Sequence, residues 1–174
     1  VLLLKFLTLI ILLLIFLQDL KARAVYWFLF PLLAVMLVVI RFQHPVILPE
    51  LEQSAMINIG FILVQLIILT LYFSLKSKKW VNISNGLLGL GDILFLLGIA
   101  FYLSVLNFLF FYVSSLIGVL LLWRIGQAVS AKKNKYIPLA GFQSLIFILF
   151  LLGDWWCWSF NLTDDTWLLN LIAR

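Results

Sequence analysis

The sequence predicts an all-α membrane protein, a polytopic bundle of about six transmembrane helices, and three observations lead there. Hydrophobic residues make up 66% of the chain and charged residues 11%, where a soluble domain carries about 25% charged residues. The apolar residues gather in long runs, each near the roughly 20 residues that cross a bilayer as a helix. Short polar segments holding most of the charge separate these runs. The 174 residues therefore fill one helical domain and leave no room for a separate soluble module.

Taken in order, span 1 covers Val1 to Leu17 and ends at Gln18-Asp19. It is read as a membrane helix rather than a signal peptide's core, because it is long and has no small-residue cleavage site. Span 2 covers Val25 to Ile40, with Pro31 as an expected kink. Pro45, Pro49, Glu50 and Glu52 mark Arg41 to Ser54 as a polar loop. Span 3 is Ala55 to Leu75, stopped by Lys76-Ser77-Lys78-Lys79; span 4 runs from Gly86 to Leu103. Span 5 is Phe108 to Trp123, and after a basic loop span 6 opens at Ile137-Pro138 and ends at Gly153. This gives a six-helix domain over residues 1–153 and a Trp-rich tail over 154–174, expected to lie in the headgroup layer. Gly98, Gly118 and Gly126 are expected to permit close helix packing.

Basic residues set the expected orientation. With the N-terminus outside, Lys21, Arg23, Lys76, Lys78, Lys79, Arg124, Lys132, Lys133 and Lys135 face the cytoplasm, and only Lys5, Arg41 and Arg174 lie opposite. The net charge of +5 thus reads as topology and contact with the lipid bilayer, not as nucleic-acid binding. Cys157 and His44 are single, which excludes an internal disulfide and argues against a zinc site or other metal cofactor.

Two carboxylates stand out. Asp92 follows Gly89-Leu90-Gly91 at the head of span 4, and Asp19 closes span 1; both fall on the expected cytoplasmic face. Acidic residues at membrane depth are costly and point to function, although each alone could be a helix cap or an interfacial residue. Brought together, two carboxylates share a proton, one serving as base toward water and the other as acid toward a carbonyl. Asp92 at a helix N-terminus is expected to be the base, and Asp19 at a helix C-terminus the acid. Gly89 and Gly91 would let a substrate backbone come close.

At these residues the chain resembles the prepilin peptidase family, membrane aspartyl proteases that process type IV pilin and archaellin precursors. The matching stretches are Asp19-Leu20-Lys21-Ala22-Arg23, Gly89-Leu90-Gly91-Asp92 and, more weakly, Lys135-Tyr136-Ile137-Pro138-Leu139-Ala140-Gly141. The chain departs from the family at Ala24-Val25-Tyr26, where Ile-Pro is usual, and at Leu94, where lysine is common. The resemblance implies a short, peptidase-only form in the inner membrane, needing no cofactor. Asp19 and Asp92 would be catalytic, and the protein partner would be a pilin-like precursor with a short basic leader.

Other readings remain open at this point. A presenilin-like intramembrane protease shares Gly-x-Gly-Asp, although its partner aspartate lies within an apolar helix, unlike Asp19. A non-catalytic reading is a degenerate homologue acting as an assembly factor, or a small proton-coupled transporter, since paired intramembrane acids also relay protons.

Overall fold

The computed structural model describes residues 2–22, 24–43, 48–78, 89–129, 137–157 and 161–172. Arg23, His44, Pro45, Lys79, Gly86, Lys132, Lys133, Lys135, Tyr136, Trp158 and Arg174 lie outside the described residues, as does the side chain of Cys157.

The predicted all-α membrane bundle is what forms. Six helices run alternately up and down: α1 (Leu2–Ala22), α2 (Leu29–Arg41), α3 (Leu48–Ser77), α4 (Leu90–Ala100), α5 (Val105–Val129) and α6 (Leu139–Leu152). A widened π-type turn at Gly153–Cys157 continues α6, and a short α7 (Thr166–Ile172) follows. Among the described residues α1, α3, α5 and α6 with its turn are long and apolar enough to cross a membrane. The apolar helices α2 and α4 are shorter, 13 and 11 residues.

Among the differences from the sequence reading, three have a backbone reason. Pro31 is the third residue of α2, a position whose N–H has no intrahelical partner to lose, so the proline starts the helix instead of kinking it. Pro49 likewise sits in the first turn of α3. With Glu50 beside it at the positive helix end, the supposed loop Arg41 to Ser54 becomes in part the start of a 30-residue helix. Span 4 contracts at its far end, where Asn58 Nδ2 takes the carbonyls of Ala100 and Leu103, each at 3.0 Å.

α1 lies along α6, α2 lies against α1 and α4, α5 against α6, and α3 covers α4 and α5. Lipid tails are as apolar as leucine, so shape and polar contacts hold such helices together rather than escape from water. Phe147 of α6 receives Phe95 of α4 and Phe111 of α5 edge-on, with centroids 6.2 and 5.2 Å away. Gly98 brings α4 to the α2 backbone, since a Cβ there would lie 3.4 Å from the Phe30 carbonyl oxygen. A Cβ on Gly118 would meet Ile146 of α6, whereas Gly126 has open space around it and supports no close packing. Leu63, Val64, Ile67, Ile68 and Leu71 of α3 stay exposed on the outer surface. An apolar stripe of that extent suits lipid, not water.

The tail docks on the bundle rather than only floating at its edge. Leu162 is buried in the core cluster, and Asp154 accepts hydrogen bonds from the Leu162 amide (3.1 Å) and the Tyr102 hydroxyl (2.9 Å). Asp165 Oδ1 caps the start of α5 by accepting from the Leu106 and Asn107 amides at 3.1 and 3.3 Å.

Candidate functional site

The two aspartates predicted to work together do meet, and the residues that join them are backbone. Pro138 precedes α6 as its N-cap, leaving the first N–H groups of that helix without intrahelical acceptors. The amide of Ala140 donates to Asp92 Oδ1 at 2.7 Å, and the next amide, Gly141, donates to Asp19 Oδ2 at 2.6 Å. Adjacent α-carbons are about 3.8 Å apart, so the carboxylates stand side by side, each within the other's field. The C-terminal turn of α1 and the first turn of α4 are thus tied to one point, the N-terminus of α6.

Each carboxylate has its own setting. Asp19 is 9% exposed and presses against α6, where Gly141 makes room for it. A Cβ at position 141 would stand 3.0 Å from both Asp19 Cβ and Oδ2. Asp92 is half-buried, and its Oδ2 reaches back to accept from the Gly89 amide at 3.1 Å. Gly89 has no side chain in the way; a Cβ there would lie 3.1 Å from that same oxygen. Gly91 abuts Phe30 of α2, whose Cζ would be in ordinary contact, 3.5 Å, with an added Cβ. Leu94, at the position where the resembled family carries lysine, packs against the core.

The arrangement changes the electrostatic argument made from the sequence. Asp19 sits at the negative end of α1, but the positive end of α6 now faces it as well as Asp92. The α6 end is shared, so the difference that remains is the positive end of α4 at Asp92 against the negative end of α1 at Asp19. Asp92 is also the more accessible to water. One turn deeper, Ser144 donates to the Gly141 carbonyl at 2.7 Å, and Gln143 Nε2 donates to Ser115 Oγ at 3.3 Å. Gln143 Oε1 is buried without a partner, so the site rests on a polar floor inside the apolar bundle.

Ala140 and Gly141 hold the two carboxylates together, a part that sequence reasoning missed. Their contribution is an N–H group, which every residue but proline has; the only signals were Pro138 just upstream and the lack of a side chain at 141. No family model matches the chain, and neither a curated protein nor a solved structure is detectably similar to it.

Proposed function

We propose that the chain is a membrane aspartyl endopeptidase of the prepilin-peptidase type, which cuts the short basic leader from a pilin-like precursor. One observation carries the reading: Asp19 and Asp92, 73 positions apart in sequence, are held side by side on consecutive amides of α6. Asp92 takes a proton from water as the water oxygen attacks the scissile carbonyl carbon. Asp19, protonated, donates to the carbonyl oxygen as the C–O double bond opens. When the tetrahedral intermediate collapses the C–N bond breaks, the leaving amine takes the proton that Asp92 received, and a hydroxyl of the diol returns its proton to Asp19 as the C–O double bond re-forms. The basic segments that include Lys21, Lys76 and Lys78 orient this end of the bundle toward the cytoplasm of an inner membrane.

A non-catalytic reading, an assembly factor in which the aspartates only cap α6, draws on the same two hydrogen bonds. Asn variants separate the two. Asp19→Asn and Asp92→Asn each keep an oxygen to accept the α6 amide, so that cap survives while Asp92→Asn gives up only the exposed bond from the Gly89 amide, but neither can carry a proton. The peptidase reading expects the inserted wild-type protein, co-expressed with a tagged pilin-like precursor, to shorten it. Either Asn variant should then lose roughly 10²-fold or more in rate without unfolding. Unchanged appendage assembly in the double Asn variant would favour the assembly factor and sink the peptidase.

A further inference from the structure

At the end of the bundle opposite the carboxylates lies an open cavity of about 240 Å³ lined in part by Arg41, Glu50, Ser54, Ser104, Asp164 and Asp165. Arg41 is 3% exposed. Its Nη1 donates to the carbonyls of Phe101 and Tyr102 at 2.9 and 3.1 Å, and its Nη2 to Ser54 Oγ at 3.2 Å. All three of those acceptors are uncharged, and Nε is buried with no partner. An oxyanion makes a charge-assisted hydrogen bond to a guanidinium N–H, shorter and stronger than one between neutral groups. Of the five N–H groups of Arg41, Nη1 uses two on the α4 carbonyls and Nη2 one on Ser54; Nε is closed off, which leaves the second Nη2 N–H of this cavity-lining residue for a ligand.

The mouth of the cavity has the opposite sign. Glu50 and Asp164 are exposed there, while Asp165 has Oδ1 engaged by Ser104 Oγ and the α5 amides. A simple anion would be repelled at the mouth and a simple cation by the floor. A zwitterion with its oxyanion inward and its ammonium outward meets both. The volume is below the roughly 300–1,000 Å³ of sites for drug-sized ligands, which suits a headgroup. Ile57, on the cavity wall, is exposed beside Met56 on α3, a path for acyl chains onto the lipid-facing stripe.

We propose that this cavity binds a phosphate–ammonium zwitterion, supplied as the phosphoethanolamine headgroup of a membrane phospholipid, with phosphate on Arg41 and ammonium between Glu50 and Asp164. The test is native mass spectrometry of the purified chain in micelles doped with phosphatidylethanolamine, phosphatidylglycerol or soluble glycerophosphoethanolamine. Phosphatidylethanolamine is expected to bind most tightly. Arg41→Gln should weaken it about tenfold or more. Arg41 also caps α4, so that variant could fail to fold; Glu50→Lys, on an exposed first turn, is the second arm. It should cut the preference for phosphatidylethanolamine over phosphatidylglycerol about two- to fivefold. Equal binding of both lipids, unmoved by Glu50→Lys, would overturn the site. Glycerophosphoethanolamine binding as tightly as the lipid would overturn the membrane as its source.

Discussion

Gly141→Ala is the substitution that most directly tests whether the N-terminus of α6 holds the carboxylates in working order. The added methyl would stand 3.0 Å from Asp19 Cβ and Oδ2, against ordinary carbon contacts of about 3.5–4.0 Å. Asp19 must therefore withdraw by roughly 0.5–1 Å. Its 2.6 Å bond to the Gly141 amide would then lengthen or break, and a buried donor left unsatisfied costs about 1–3 kcal/mol. Alanine's better helix propensity returns at most about 1 kcal/mol, so stability falls by at most about 3 kcal/mol. The effect on a proton-transfer site is larger, because a misplacement of about 1 Å can cost on the order of 10²-fold in rate. Precursor cleavage and thermal unfolding, measured on the same detergent-solubilised sample, separate the two effects. Gly126→Ala on α5 is the control. Nothing lies within 4 Å of the added methyl, so stability should rise by up to about 1 kcal/mol with cleavage unchanged. A folded Gly141→Ala protein that cleaves at the wild-type rate would refute the proposed geometry.

Two further substitutions probe the opposite end of the bundle. Asn58→Leu removes the donor shared by the Ala100 and Leu103 carbonyls. It should cost about 1–3 kcal/mol in a denaturant titration, with α4 fraying first in hydrogen exchange. Tyr102→Phe deletes the hydroxyl that donates to Asp154 and accepts from Trp155 Nε1 at 3.1 Å. A loss of about 1–2 kcal/mol should accompany a change in Trp155 emission; an unchanged spectrum would mean the hydroxyl does not hold that indole.

Much of the architecture was legible because a membrane helix declares itself by uninterrupted apolar length, and the runs carrying Leu12, Phe111 and Phe147 did so. The boundaries were less legible, since Pro31, Pro49, Glu50 and Glu52 look like helix breakers or loop residues by type. They are acceptable in a first turn, where N–H groups are unpaired and negative charge is favoured. Arg41 misled in a different way. Counted as a surface charge opposing the basic loops, it is instead buried on the carbonyl end of α4, 60 residues away in sequence, and a lone arginine gives no sign of so distant a partner. Asp19 and Asp92 could be paired from sequence because one closes a span and the other opens one on the same face. Their meeting point could not, because Ala140 and Gly141 contribute only main chain.

Helix lengths bear on which bond such a site would cut. From Asp92 to Ala100 α4 rises about 12 Å, and from Gly141 to Gly153 α6 rises about 18 Å, at about 1.5 Å per residue. Both are measured toward the polar layer of Arg41, Tyr102 and Asp154. A hydrocarbon core is about 30 Å thick, while α3 and α5, at 30 and 25 residues, reach about 45 and 38 Å. The carboxylates therefore lie only about 12–18 Å from that polar layer along α4 and α6. With a bilayer of full thickness, a substrate helix must unwind below the membrane surface and be cut within its apolar stretch, as the presenilin-like alternative requires. Cleavage at the junction of basic leader and apolar helix instead requires the bilayer to thin by about 12–18 Å around α4 and α6, at a cost of fractions of a kcal/mol per Å. The position of the cut, read by mass spectrometry of the released leader, therefore also reports the local thickness of the membrane.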